Sequence, residues 1–185
     1  MSPSALIVGK SQLVLTDTVS LLRGKGFTAD ATNQFDDVGR DFDLGAYDVV
    51  VFGGQVPPDT REQLASQVRR LNPEAFLVDG LAGIPGLIAA QVEGALAAGR
   101  AEPAPEFDPG RRAIVLSLAG ARTVTVTTWW ATSFIPPDPK SDSRILVDHQ
   151  WLEGRQTILL PDDVPAQAAF VAVQLDEQVH TLRVA

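Results

Sequence analysis

The residues best placed to do chemistry in this 185-residue chain stand where apolar runs stop. Gly9-Lys10-Ser11 follows Ala5-Leu6-Ile7-Val8, and Gly53-Gly54 follows Tyr47-Asp48-Val49-Val50-Val51-Phe52. Asp79-Gly80 follows Phe76-Leu77-Val78, with Gly83 close behind. A lysine, a hydroxyl ahead of a helix, and amides bared by glycine are the ingredients of an anion site. Asp30 lies about 20 residues past Gly9, where a dinucleotide-binding fold carries its ribose-binding acid. The expected ligand set is therefore Gly9, Lys10, Ser11, Asp30, Gly53, Gly54, Asp79 and Gly80, for an unidentified nucleotide or other anion.

Complete motifs are missing. A phosphate-binding loop needs a glycine five residues before Gly9, and Ser4 stands there. Ser11 and Val14 occupy the second and third glycine positions of the dinucleotide fingerprint. The chain has no cysteine, so disulfides, thiolate nucleophiles and Cys-ligated metals are excluded. Its two histidines, His149 and His180, belong to no HExxH, GxSxG or spaced His/Asp cluster. Each reads as a half-exposed strand residue. No catalytic residue, metal ligand or known cofactor is assigned.

The tryptophans are a second kind of signal. Trp129 and Trp130 are adjacent in a strand and must face opposite ways. One then enters a core while the other lies on an outer face, with Trp151 expected near them across a hairpin. Trp129, Trp130 and Trp151 are the candidate protein–protein or self-association surface.

The elements that must position these groups are legible in the pattern. Continuous apolar runs ending at glycine read as strands of a parallel sheet, buried on both faces. Helices are expected over 11–23, from Pro57-Pro58 to Leu71, and over 84–98. In the second, Arg61, Glu62, Arg69 and Arg70 are placed towards solvent. Residues 35–43 are acidic and read as a solvated loop with at most a short helix. The order β-α-β-β-α-β-α sets the central strand beside the first. Residues 99–110, with three prolines, read as a linker.

After residue 110 the period becomes two, and about six strands are expected: 113–116, 123–130, 144–149, 157–160, 168–175 and 179–184. Residues 135–142 read as the loop within the long hairpin. The fold class is thus α/β plus all-β. A four-stranded parallel flavodoxin- or Rossmann-like domain (1–98) and a linker (99–110) precede a small antiparallel β-sandwich (111–185).

The net charge of −8 argues against nucleic acid or an anionic membrane as partner. Up to residue 98 there are seven Lys and Arg against twelve Asp and Glu, so most of the excess lies in the first half. No apolar run approaches the roughly 20 residues that cross a bilayer. No basic region precedes the first strand, and a cytoplasmic location is expected.

Residues 4–98 resemble response-regulator receivers in the spacing of strands and helices. Leu21-Leu22-Arg23-Gly24-Lys25-Gly26-Phe27 echoes their first helix and second strand. The Tyr47–Gly54 stretch is similar to the third strand of flavodoxins. The likeness implies a fold. Receivers carry acids after strand one, where this chain has Gly9-Lys10, and a phosphoacceptor ending strand three, where it has Phe52-Gly53-Gly54. Flavodoxins carry a Ser/Thr/Gly-rich loop, where it has Gln12-Leu13-Val14-Leu15. The expectation is a non-catalytic binding or regulatory protein whose β domain mediates protein–protein or homodimer contacts. The alternative is an enzyme or sensor of a nucleotide-like or anionic small molecule at the carboxyl edge of the sheet.

Overall fold

The apolar runs of the first half pair side by side into one parallel sheet. The computed structural model describes residues 2–97, 103–133, 140–167 and 169–184. Strands β1 (Ser4–Val8), β2 (Thr28–Thr32), β3 (Val49–Phe52) and β4 (Phe76–Asp79) lie in the order β2-β1-β3-β4. Val8 is paired with Thr32 on one side and Phe52 on the other. That is the order of the first four strands of a flavodoxin-like sheet.

Four helices, α1 (Gln12–Gly24), α2 (Val38–Asp41), α3 (Pro58–Leu71) and α4 (Pro85–Ala97), cover the two faces. Alternation along the strands decides which side chains meet which helix. Ala5, Ile7, Val49 and Val51 pack with Leu15 and Leu22 of α1 and Ile88 and Val92 of α4. Leu6, Val8, Val50 and Phe52 pack with Val38 of α2 and Leu64 and Val68 of α3. The acidic segment after β2 is two short 3₁₀ turns around the one-turn α2.

The chain separates into two compact units, Met1–Leu96 and Ala97–Ala185. Among the described residues the second has seven strands: β5 (Glu106–Asp108), β6 (Ala113–Leu118), β7 (Arg122–Ser133), β8 (Lys140–Trp151), β9 (Gly154–Leu159), β10 (Ala169–Leu175) and β11 (Gln178–Val184). They form two antiparallel sheets, β5-β6-β9 and β11-β10-β7-β8. Ile114, Leu116 and Ile158 of the first share a core with Val124, Val126, Val171 and Val173 of the second.

Two expectations need correction here. The stretch 99–110 is not wholly linker, because Glu106–Asp108 pairs with β6 and Phe107 packs on the core. Pro105 and Pro109 bracket these three residues, which is where proline is tolerated on an edge strand. Residues 98–102 lie outside the described residues. The hairpin strands β7 and β8 each run 12 residues, so 140–142 belong to β8 and not to a loop; 134–139 are outside the described residues.

His180 sits opposite Val173 and shares its inward face. Its Nε2 is sealed from solvent with no hydrogen-bond partner. Burial lowers its pKa below the ordinary 6.5, since the charged form loses hydration with nothing to replace it. The unfolded chain therefore binds this proton first as pH falls. Stability contributed by neutral His180 is present above pH 6.5 and is lost as pH falls from there through the folded-state value. Denaturant melts of wild type should lose stability across this window, and His180→Leu should flatten that slope.

Candidate functional site

The carboxyl edge of the parallel sheet brings Gly9, Gly53 and Gly80 together in adjacent strand ends. The hydrogen-bond ladder runs one residue past each strand to meet them. Gly9 N donates to Thr32 O (3.0 Å), Gly53 N to Val8 O (2.8 Å) and Gly80 N to Phe52 O (2.8 Å). These three amides are thus committed to the sheet. The glycines are needed for close packing: a Cβ on Gly53 would stand 3.3 Å from Val8 O and 3.4 Å from Gly9 Cα. One on Gly80 would stand 3.3 Å from Phe52 O. Gly54 differs, with nothing within 4 Å of an added Cβ.

Ser11 is the N-cap of α1, its hydroxyl accepting from Val14 N at 3.4 Å. Lys10 is exposed. Asp79 is held by Arg61 Nη1 at 3.0 Å, although its own side chain is largely in water. Arg61 does not point into solvent as its helical position implied. It is half-buried, and its Nε is sealed without a partner. Beside this pair, Gln91 of α4 donates from Nε2 to Asp79 O and accepts from Leu81 N, so one carboxamide pins the turn after β4. Gln91 is the polar residue within the buried run 87–92 of α4 and must find such partners; its place in that run is the signal for it in the sequence.

Asp30 does not reach this edge. It lies mid-strand opposite Leu6, accepting from the Tyr47 hydroxyl (2.9 Å) and paired with Arg23 at 3.4 Å. Arg23 also donates twice to Ala29 O. Burial raises the pKa of Tyr47, and the hydrogen bond to the Asp30 carboxylate raises it further. The acid expected to hold a ribose instead orients a phenol.

A separate cleft of about 360 Å³ opens between the segment after β2 and α3. Phe35, Asp36, Gly39 and Arg40 line one wall, and Thr60, Gln63, Leu64 and Gln67 the other. None of the eight residues of the expected ligand set lines it. Arg40 is engaged by Asp41 (3.0 Å) and Asp37 (2.9 Å); the hydrogen bond to Asp41 and the charges of both carboxylates raise its pKa.

The three tryptophans do not form one surface. Trp130 packs on the β core while Trp129 lies on the opposite face of β7. Trp151 pairs with Arg122, whereas Trp129 pairs with Ser143. Seven residues of β7, roughly 23 Å, separate the two pairs. The long hairpin carries Trp151 to its far end, where its indole Nε1 donates to His149 Nε2. Asp148 faces the other way and accepts from Thr125. Among the described residues no three His, Asp or Glu side chains could hold a metal ion, and no helix is long and apolar enough to cross a membrane.

No family model and no curated protein matches the chain. Among solved structures it is similar to a glutamine amidotransferase from Thermotoga maritima, at 14% identity over 97% of this chain and 74% of that one. The TM-score is 0.34, so the likeness carries no argument about function.

Two outcomes follow from the edge. Gly53→Ala should cost about 1–3 kcal/mol, because the atoms it meets are backbone of buried strands and cannot turn aside. Gly54→Ala should stay within about 0.5 kcal/mol in the same urea melts. Tyr47 is the one tyrosine in the chain, so phenolate absorbance reports it alone. With a folded pKa raised above 10.0, the stability it gives is present below pH 10 and lost as pH rises through the folded value. Phenolate should therefore appear only together with alkaline unfolding. Tyr47→Phe should cost about 1 kcal/mol.

Proposed function

We propose that this chain is a binding protein that performs no chemistry of its own. One observation supports the reading: the polar groups gathered at the carboxyl edge are used by the fold itself. The Gly9, Gly53 and Gly80 amides extend the ladder, Ser11 caps α1, and Asp79 is paired with Arg61. Asp30 is turned to Tyr47. In this reading the α/β unit is a flavodoxin- or receiver-like domain without its relatives' phosphate or flavin chemistry, acting in the cytoplasm. The two antiparallel sheets are a β-sandwich that supplies the contact surface.

The surface itself is redrawn. Trp129 and Ile145 lie on the same outer face, diagonal neighbours across β7 and β8, and Ile145 is 60% exposed. On the same face Phe170 and Ala172 of β10 are buried, so the patch is confined to the β7–β8 side, where an aromatic beside an exposed aliphatic suits a second copy or another protein. Trp130 and Trp151 serve the core.

The competing reading is an anionic ligand held by Lys10 and the α1 N-terminus, the one exposed cation at that edge among the residues expected to bind. Thermal melts against ATP, FMN and inorganic phosphate, in parallel with native mass spectrometry of the purified protein, separate the two. The binding-protein reading expects unchanged melting temperatures in wild type and Lys10→Ala, with a dimer weakened by Trp129→Ser and Ile145→Ser. A retained nucleotide mass, or a stabilisation abolished by Lys10→Ala, would replace it.

A further inference from the structure

The cleft between α2 and α3 has a chemistry unlike that of the carboxyl edge. Its volume of about 360 Å³ is at the lower end of small-molecule sites. It also opens on segments that directly follow β2 and β3, the side of an α/β sheet where ligands collect.

The lining leaves specific groups unused. Thr60, Gln63 and Gln67 stand one turn apart along α3, and no hydrogen bond within the described residues engages their side chains. Asp36 has no ion pair or hydrogen bond either. The cleft's one cation is spoken for, since Arg40 is bracketed by Asp37 and Asp41. Phe35 and Leu64 add an apolar floor. Gly39 keeps the space open: a Cβ there would stand 2.6 Å from the Gln67 carboxamide oxygen and drive that side chain out of place.

An unpaired carboxylate, two carboxamides and a hydroxyl around an aromatic face accept hydrogen bonds from a donor-rich positive group. The same carboxamides and hydroxyl could donate to a phosphate, but charge opposes it: Asp36 is negative and Arg40 is already paired with Asp37 and Asp41. The geometry points to this cleft as a binding site for a small organic cation, a primary ammonium or guanidinium on a short stem. The charged head meets Asp36 and the carboxamides, and the stem lies on Phe35 and Leu64. The inference is independent of the β-unit surface and survives or fails without it.

The test is NMR titration of the full-length protein with agmatine and putrescine, at ionic strength matched by sodium chloride. The side-chain amide signals of Gln63 and Gln67 report the cleft directly. Saturable shifts of both pairs are expected, with binding about tenfold weaker in Asp36→Asn. Gln67→Leu, a change of similar volume at a half-buried position, should weaken it as well. Shifts no larger than those from sodium chloride, or equal in wild type and Asp36→Asn, would overturn the inference. So would saturable shifts of the same signals with inorganic phosphate in place of the amines.

Discussion

Everything in the α/β unit depends on β1 and β3 being sealed on both faces. From Ala5 to Val8 and from Val49 to Phe52 each side chain is buried, in alternation, against helices on opposite sides. Strands so enclosed cannot tolerate a polar side chain without a partner, so polarity is displaced to their ends and to the edge strands. Asp30 and Asp79 obey this rule, one on β2 and one on β4, the two outer strands. At the ends of β3 and β4 the neighbouring backbone comes so close that a Cβ on Gly53 or Gly80 would stand 3.3 Å from a carbonyl oxygen of the adjacent strand. The glycines that look like an invitation to a ligand are a consequence of packing.

That explains what the sequence could and could not disclose. Continuous valine and isoleucine runs stopping at glycine make the parallel sheet and the pairing of β3 beside β1 legible, because strands buried on both faces read as unbroken apolar runs. Face and side-chain direction were not legible at the edge. Asp30 has the right separation from Gly9 for a ribose acid, yet separation along the chain does not say how far up a strand a residue stands or what waits beside it. Here Tyr47 and Arg23 wait. Arg61 looked solvent-facing by helical period, but a first-turn residue of α3 lies over the end of β4 and meets Asp79. Trp151 was misplaced for a different reason: strand lengths were underestimated, and every added residue of a hairpin moves its ends further apart.

The β unit shows how an exposed edge is kept from pairing indiscriminately. Strand β8 is 12 residues long, closes one side of its sheet and is exposed over most of its length. Lys140, Asp142, Arg144 and Asp148 stud it, and register shifts break its ladder against β7. Charges and bulges of this kind oppose unplanned strand addition. Arg144 is further tied to Asp163 by both carboxylate oxygens. With the edge defended, the outer face of the β7–β8 pair, where Trp129 and Ile145 are neighbours, is the surface that the proposed contact would use.

Charge decides between the two small-molecule chemistries the α/β unit could support. Asp36, Asp37, Asp41, Asp43 and Asp48 crowd one short segment with Arg40 as its single cation, inside a chain whose net charge is −8. A field of that sign disfavours anions approaching any nearby site and concentrates cations. At the carboxyl edge an anion would have Lys10 and the α1 amides to set against it, with the neighbouring guanidinium of Arg61 already facing Asp79. In the α2–α3 cleft the field and the local charges act in the same direction: Arg40 is neutralised, Asp36 is unpaired, and the carboxamides turn their oxygens to whatever cation enters. The acidic segment between β2 and β3, which on composition alone reads as solvated connection, is therefore the part of this unit whose charge and shape agree on one kind of ligand.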